Sequence, residues 1–334
     1  MIRIKNGRIL DPAGGRDETA DLLIADGCIA KGGRSVRETA ETVIDAKGLW
    51  VMPGFVDMHV HLREPGFTAK EDIASGTRAA ARGGFTTVCA MPNTSPAIDT
   101  PERVKELLAR IGETAAVRVK VIGAVTLGQE GRELCDLAGM AKAGAAAFSE
   151  DGKSVADPAL MKQAMEIMAK EDLLLLDHCE EKALAAGGVL HDGAKAKELG
   201  LPGIPSSAEN VMAAREILLA GECGARIHLC HCSTKESAAL VDWAWQQGWR
   251  VSAETCPHYF TLCDEDIPGD DANFKMNPPL RAEEDREAVR QALSDGIIQV
   301  IATDHAPHTP EEKRASMRQA PFGIVGLETA AALT

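Results

Sequence analysis

The chain has 334 residues, with 36 Lys and Arg against 50 Asp and Glu, and a formal net charge of −14. Its 45% hydrophobic and 26% charged residues exclude a disordered or fibrous chain, and the acidic balance argues against a surface that binds nucleic acid. No apolar run reaches the roughly 20 residues that span a bilayer, and the N-terminus lacks the apolar core of a signal peptide. We therefore expect a cytoplasmic protein that acts on a small molecule and binds neither nucleic acid nor membrane.

Residues 1–49 are predicted to form a small β unit. Short alternating segments, such as IRIKNGRIL and ADLLIADGCIA, are separated by turn residues. Within the second segment, Asp26-Gly27 is a typical two-residue hairpin turn.

From Trp50 onward, apolar β-rich runs alternate with helix-period segments, the pattern of βα units around a buried parallel sheet. The helical segments often begin at Ser, Thr or Pro and end at Gly. Eight such units predict an α/β fold, a (β/α)8 barrel with its active site at the carboxyl ends of the strands. The runs are WVMPGFVDMHVHL (50–62), TTVCAMPN (86–93), VRVKVIGAV (117–125), GAAAFSED (144–151), LLLLDHC (173–179), ARIHLCHC (225–232), RVSAETCPH (250–258) and IIQVIATDH (297–305).

Polar residues recur where these runs end. The carboxyl ends of parallel strands meet at one mouth of a barrel, so these side chains should converge there. Seven of the nine histidines lie at or just after a run's end, which a random placement would not give. The run-end residues are His59, His61, Asn93, Asp151, His178, His231, His258 and Asp304.

The spacing of these residues predicts metal binding. His59 and His61 are two apart in a strand, so their side chains point to one face about 7 Å apart. With His178, His231 and Asp304, the site has five ligands, which is too many for one tetrahedral zinc and implies two ions. Two ions need a bridging carboxylate, and the candidates are Glu150 and Asp151. Adjacent strand residues face opposite sides, so only one of the two should reach the metals. We interpret His228 as a packing histidine whose polar atoms are satisfied and which faces away from His231, and His191 as exposed.

The motifs of successive runs are specific enough to indicate a family. They are DMHVHLREPG, MPNT, FSEDG, DHCE, HCST, KMNPPLR and ATDHAPH. In this order they resemble the amidohydrolase superfamily, and in particular bacterial dihydroorotases of the longer, type I class. Enzymes of that family interconvert N-carbamoyl-L-aspartate and L-dihydroorotate in pyrimidine synthesis, using a binuclear zinc centre.

The resemblance implies a role for each site residue. His59 and His61 would bind the more buried zinc, and His178 and His231 the second. Asp151 and a water or hydroxide would bridge the two ions, and Asp304 would be both a ligand and the general base or acid. Substrate binding would fall to His61, Arg63, Asn93, Asn277 and His308, and to the backbone of Phe322 and Gly323. Arg63 is suited to hold the substrate carboxylate, because a guanidinium binds a carboxylate through two parallel hydrogen bonds.

Two alternatives stay open at this point. An allantoinase or hydantoinase would use a carboxylated lysine as the bridge, and the nearest lysines in sequence are Lys142 and Lys153. A non-catalytic partner of aspartate carbamoyltransferase would lose ligands, and none is lost here. A homodimer, and docking of an active enzyme on aspartate carbamoyltransferase, are further expectations.

Known members of the family continue beyond GLETAAAL with a last helix and strands that complete a small β-sandwich. We therefore expect residues 1–49 to be the N-terminal part of that sandwich, incomplete here. Residues 50–334 should form the hydrolase barrel, truncated at its C-terminus.

Overall fold

The computed structural model describes residues 1–33, 36 and 38–334. The chain divides into two compact units, Met1–Phe55 and Val56–Thr334. No helix in the described residues is long and apolar enough to cross a membrane.

The first unit contains one five-stranded sheet in its described part. Strands β2 and β3 form the predicted hairpin, in which Ala25 pairs with Cys28. Asp26 and Gly27 both have positive φ, 51° and 73°, as a tight hairpin turn requires. Strand β1 pairs with β2, β4 and β5. The strands are β1 Ile2–Asp11, β2 Arg16–Ala25, β3 Cys28–Gly33, β4 Thr42–Asp45 and β5 Trp50–Val51. A β-sandwich formed with further chain stays a prediction.

The second unit confirms the predicted (β/α)8 barrel. Eight neighbouring strands follow chain order around one sheet, and the pairs of known register are parallel. The last strand closes onto the first through a bridge between Val60 and His305, where the His61 amide donates to the His305 carbonyl at 2.8 Å. The strands are β6 Phe55–Val60, β7 Phe85–Ala90, β8 Arg118–Ala124, β9 Ala145–Ser149, β10 Leu174–Asp177, β13 Arg226–Leu229, β14 Val251–Thr255 and β15 Val300–Ile301. A separate two-stranded ribbon pairs β11 Leu190–His191 with β12 Gly203–Ile204.

Helices follow most of the barrel strands, and their starts show the predicted signals. Asp72 and Ser75 form a capping box on α1, and Thr100 and Asp157 cap α2 and α4, which both begin with Pro. The helices are α1 Ile73–Arg82, α2 Pro101–Thr114, α3 Leu137–Ala143, α4 Pro158–Lys170, α5 Lys182–Ala185, α6 Ala194–Leu199, α7 Ser207–Cys223, α8 Lys235–Gln246, α9 Pro257–Thr261, α10 Glu283–Ser294, α11 Pro310–Lys313 and α12 Ala330–Leu333.

Strand alternation divides the barrel core into two layers. In β10, Leu175 packs in the large cluster that includes apolar residues of α4 and α7, whereas Leu174 and Leu176 pack in a second cluster with Ile122 and Cys230. The second cluster is the barrel interior, because its members come from neighbouring strands and from no helix. Residues just beyond a strand end whose side chains keep this inward direction therefore reach the mouth of the barrel.

Candidate metal centre and active site

The predicted metal ligands lie together where the strands end. His59 lies in β6, and His61 follows Val60, the last residue of that strand. The other four follow β9, β10, β13 and β15 within three residues. All are buried, with at most 8% of each residue exposed. They are His59, His61, Asp151, His178, His231 and Asp304.

Asp151 lies at the centre of this cluster. Its Oδ1 is 3.3 Å from His59 Nε2, 3.5 Å from His178 Nδ1 and 3.7 Å from His231 Nε2. Its Oδ2 is 3.4 Å from His61 Nε2. Two groups of potential ligand atoms therefore share this carboxylate, His59–His61–Asp151 and Asp151–His178–His231.

Asp304 approaches the first of these groups. Its Oδ1 lies 3.0 Å from His61 Nε2 and 3.5 Å from His59 Nε2. Burial disfavours a charged carboxylate, but positive charge at His59 and His61 outweighs burial and lowers the pKa of Asp304 to about 2. Asp304 is therefore ionised at neutral pH, as both a ligand and a base must be.

The donor atoms fit a cation. The His61 Nδ1–H donates to Asn93 Oδ1 at 2.8 Å, and the His61 Nε2 faces Asp304 Oδ1 at 3.0 Å and Asp151 Oδ2 at 3.4 Å. The His59 Nε2 is buried and has no hydrogen-bond partner among the residues that the structure describes. Lone pairs and carboxylate oxygens that face one another repel unless a proton or a metal ion lies between them. The residues present can therefore bind metal.

Three site residues have strained backbones. Arg63, His231 and Asp304 adopt positive φ of 61°, 39° and 47°, a region that non-glycine residues rarely occupy. Such conformations cluster where a fold must aim a side chain at a functional site. At His231 the change of direction comes two residues after β13 ends, so simple strand alternation no longer applies there.

Of the two candidates for a bridging carboxylate, only Asp151 faces the histidines. Glu150 instead accepts hydrogen bonds from the amides of Val125 and Thr126, both at 3.1 Å, and from the Thr126 hydroxyl. Its carboxylate therefore holds the turn that follows β8.

A cavity of about 520 Å³ opens above the cluster, and five of the predicted substrate contacts line it with His61. They are Arg63, Asn93, Asn277, Phe322 and Gly323. The Arg63 Nε–H donates to the Pro307 carbonyl at 3.1 Å, and burial lowers the pKa of this guanidinium. Among the residues that the structure describes, Arg63 has no carboxylate within ion-pair distance. A largely buried cation that lacks an anionic partner favours the binding of an anionic ligand.

His308 lies behind Arg63 and fixes the far wall of the cavity. Lys70 Nζ lies 3.1 Å from His308 Nδ1 and can only donate, so the ring proton is on Nε2 and donates to the Phe322 carbonyl at 2.7 Å. Burial and the nearby charge of Arg63 lower the pKa of His308 to about 4. The Gly323 amide donates to the Lys275 carbonyl at 3.0 Å. The Phe322 carbonyl and the Gly323 amide thus already have partners within the protein.

Comparison with known proteins agrees with this geometry. A family model described as dihydro-orotase-like matches residues 48–237, more than half of the chain. The dihydroorotase of Halalkalibacterium halodurans is 54% identical over 327 residues, which cover 98% of this chain and 76% of the relative. The dihydroorotase of Pelotomaculum thermopropionicum is 52% identical over 99% of this chain and 78% of its own. The chain belongs to the dihydroorotase family.

Solved structures of hydantoinases share the fold of this family member. The L-hydantoinase (dihydropyrimidinase) of Arthrobacter aurescens superposes with a TM-score of 0.86 at 25% identity, over 99% of this chain and 76% of the other. A D-hydantoinase gives a TM-score of 0.85 at 28% identity, over 99% of this chain and 75% of the other. Lys153, one of the two lysines considered as a bridge, is exposed and donates weakly to the Gly128 carbonyl at 3.5 Å, and Lys142 is exposed at the end of α3.

Sequence reasoning missed Glu254, which holds His59 from behind. The His59 Nδ1–H donates to Glu254 Oε1 at 2.8 Å, and Glu254 is fully buried. A carboxylate is only an acceptor, so it fixes the imidazole tautomer and leaves Nε2 free for a metal. The sequence feature that could have indicated Glu254 is an acidic residue within the apolar strand β14. Its side chain lies on the same side of the strand as that of Ser252, toward the barrel interior.

His228 is buried and both of its ring nitrogens are hydrogen-bonded, as expected of a satisfied packing histidine. Its Nε2–H donates to Glu254 Oε2 at 3.1 Å, and its Nδ1 accepts from the Ser252 hydroxyl at 2.8 Å. His228 therefore extends the chain of hydrogen bonds that ends at His59. The sequence did not indicate this link to His59, because Glu254 comes from the neighbouring strand β14.

Glu180 is a second residue that the sequence did not single out. Its Oε1 accepts from Asn277 Nδ2 at 2.8 Å, and its Oε2 lies 3.5 Å from His178 Nε2. Hydrogen bonds from both neighbours outweigh the effect of burial and lower the pKa of Glu180 to about 2. This carboxylate thus connects a predicted metal ligand with a predicted substrate contact.

The expectation that His191 is exposed is wrong, because it is half-buried in β11.

Proposed function

We propose that this chain is a dihydroorotase that interconverts N-carbamoyl-L-aspartate and L-dihydroorotate in pyrimidine biosynthesis. The observation that carries the proposal is the Arg63 guanidinium, which has no carboxylate partner among the described residues and lines the same cavity as the His61, Asp151 and Asp304 cluster. L-Dihydroorotate combines a carboxylate with a cyclic amide, so it can engage both features at once. Membership of the dihydroorotase family supports the same substrate pair.

We propose that His59, His61, His178, His231 and Asp304 hold two zinc ions, and that Asp151 and a water or hydroxide bridge them. The two overlapping groups of ligand atoms that share Asp151 support this count. Zinc bound there would polarise the ring carbonyl and lower the pKa of a water molecule.

Arg63, Asn93, Asn277 and His308 are the proposed substrate contacts. The role of Asn93 would be double, because its amide already accepts from His61 and donates to Asp151 Oδ2 at 3.3 Å. Arg63 would hold the carboxylate that both substrates keep, which aligns the scissile amide with Asp304.

Asp304 is the proposed general base and acid. In hydrolysis it takes a proton from the attacking water and delivers it to the ring nitrogen as the carbon–nitrogen bond breaks. In cyclisation the carbamoyl nitrogen attacks the side-chain carboxyl carbon, and Asp304 takes the nitrogen's proton and passes it to the departing oxygen. With one further proton from solvent, that oxygen leaves as water. The low pKa of Asp304 supports an ionised base at the start of hydrolysis.

The second candidate is a hydantoinase, which the structural neighbours favour. The two functions differ in the substrate carboxylate, since hydantoin has none. We therefore expect the zinc-loaded chain to hydrolyse L-dihydroorotate, with hydantoin and allantoin at least 100-fold poorer in kcat/KM, on the order of one lost bidentate charge contact. The Asp304→Asn variant should lose activity on L-dihydroorotate. A preference for hydantoin, or full activity of Asp304→Asn, would refute the assignment.

Location and assembly stay proposals as well. We expect the enzyme to act in the cytoplasm, where pyrimidine precursors are made. Size-exclusion chromatography with light scattering, run with and without aspartate carbamoyltransferase, tests both the expected homodimer and the expected docking.

A further inference from the structure

Two lysines near the cavity bind backbone carbonyls in place of carboxylates. Lys275 is 3% exposed, and its Nζ donates to the carbonyls of Met317 and Ala320, each at 2.6 Å. The Lys313 Nζ donates to the Gly323 carbonyl at 2.8 Å and more weakly to that of Pro321 at 3.4 Å. Neither ammonium group has an ion-pair partner in the described part of the chain.

All four carbonyls belong to one short segment, residues 317–323, which ends in the cavity wall. The carbonyl of a fifth member, Phe322, accepts from His308. The Lys275 Nζ also lies 4.4 Å from the centre of the Phe322 ring, within the range of a cation–π contact. Most carbonyls of segment 317–323 therefore accept hydrogen bonds from a lysine ammonium group or from the His308 ring.

The two lysines are connected through the backbone of Lys275. Its carbonyl accepts from the Gly323 amide at 3.0 Å and from Lys313 Nζ at 3.4 Å. Two residues later, Asn277 reaches the same cavity. The backbone around Lys275 therefore helps to position Asn277, Phe322 and Gly323, which line adjoining parts of the substrate pocket.

Burying an ammonium group without a counter-ion costs free energy, so such groups persist where the fold gains something from them. Here the gain is twofold: the carbonyls of 317–323 are satisfied, and two positive charges stay beside a pocket that must accept an anionic substrate. Hydrogen bonds to a charged donor are about twice as strong as neutral ones.

We propose that Lys275 and Lys313 are positioning residues that clamp segment 317–323 against the substrate pocket through their ammonium groups. The inference rests on the proposed function for its kinetic consequence, while the clamp itself is a property of the fold. With the clamp intact, Phe322 and Gly323 stay in place and substrate binds to a formed wall.

The clamp should weaken as pH rises. Burial and the charge of Lys275 lower the pKa of Lys313 to about 8, although Asp271 and Glu312 oppose the shift. Lys275 and Asp271 are the charged groups that face Lys313 from neighbouring segments, and Glu312 is the one that faces it from its own helix, α11. The folded-state pKa lies below that of a free lysine, so Lys313 loses its charge between about pH 7 and pH 9 in the folded enzyme.

The test compares Lys313→Met and Lys313→Arg with the wild-type enzyme, and uses Lys142→Met, at an exposed position on α3, as the matched control. Hydrogen–deuterium exchange of peptides that cover 314–324 reports on the clamp without any activity. Steady-state kinetics with L-dihydroorotate at pH 7 to 9.5 reports on the pocket, and zinc content and melting temperature confirm the state of each variant.

We expect Lys313→Met to raise KM roughly tenfold, the size of one charged hydrogen bond, with a smaller change in kcat and faster exchange in 314–324. The wild-type enzyme should show the same changes progressively from pH 7 to 9. Lys313→Arg, which keeps its charge, should show neither the KM rise nor the pH-dependent exchange. Lys142→Met should match the wild-type enzyme.

Unchanged KM and exchange in Lys313→Met would overturn the proposal. So would Lys313→Arg behaving as Lys313→Met does, or wild-type exchange in 314–324 that does not depend on pH after correction for the intrinsic rate. An enzyme inactive on L-dihydroorotate would refute the proposed function instead, and the exchange results would still decide the clamp.

Discussion

Replacing Glu254 with Gln should weaken zinc binding without touching a ligand. Glu254 accepts from His59 Nδ1 at 2.8 Å and from His228 Nε2 at 3.1 Å. The Gln side chain has nearly the same shape, but its single oxygen can accept from one of the two rings only, and its NH2 group then faces an N–H donor. His59 therefore loses its fixed tautomer or its orientation, or His228 is left unpaired.

The size of this effect follows from the position of Glu254 behind one ligand of the cluster. Loss of a carboxylate behind a metal-bound histidine typically weakens metal binding about 10- to 100-fold. That range corresponds to about 1.4–2.7 kcal/mol. We expect Glu254→Gln to reach this range, because the carboxylate is fully buried and no solvent replaces its hydrogen bonds.

The assay is a zinc competition titration against a chromophoric chelator, together with the zinc content after dialysis. Glu265→Gln, at an exposed position, is the matched control and should bind zinc as the wild-type enzyme does. A folded Glu254→Gln variant with unchanged zinc affinity would refute the reasoning, since Glu254 would then contribute nothing to the presentation of His59.

Three further predictions test other contacts of the site. Arg63→Met should raise KM for L-dihydroorotate about 100-fold with zinc content unchanged, because the proposed carboxylate receptor is lost; kinetics and metal analysis check this. Glu180→Gln should lower kcat/KM about tenfold, because its single oxygen can accept from Asn277 or from His178 but not from both, and its NH2 group then faces the other donor; steady-state kinetics measures the loss. Burial and the charge of Asp177 raise the pKa of Glu216 to about 8, so the folded state keeps a proton that the unfolded chain releases above about pH 4.5. The Glu216 contribution to wild-type stability should therefore fall as pH rises from 5 to 8, and Glu216→Gln should reduce the fall in melting temperature between these pH values.

The barrel was predictable because its pattern is repeated and local. Seven of the eight apolar runs carry a polar residue at or next to their end, and the carboxyl ends of parallel strands must meet, so His59, His178 and Asp304 could be placed together without a structure. Strand alternation also predicted that only one of Glu150 and Asp151 faces the histidines. Their roles as ligands stay predictions that the zinc measurements test.

What the sequence did not reveal depends on contacts between distant strands. Glu254 meets His59 across 195 positions of the chain, and no spacing within β14 indicates that partner. The hydrogen bond from His228 to Glu254 likewise joins β13 to β14, and no spacing within either strand indicates it. Lys275 and Lys313 look like ordinary surface lysines in sequence, because their partners are backbone carbonyls that carry no side-chain signal.

A zinc titration of the chelator-treated enzyme is the most direct test of whether this chain is a zinc-dependent dihydroorotase. The measured quantity is the rate of L-dihydroorotate hydrolysis at each zinc equivalent added. We predict that activity returns with zinc and reaches a plateau at two equivalents per chain. Full hydrolysis of L-dihydroorotate without metal, or a zinc-restored enzyme that hydrolyses hydantoin and leaves L-dihydroorotate intact, would contradict it.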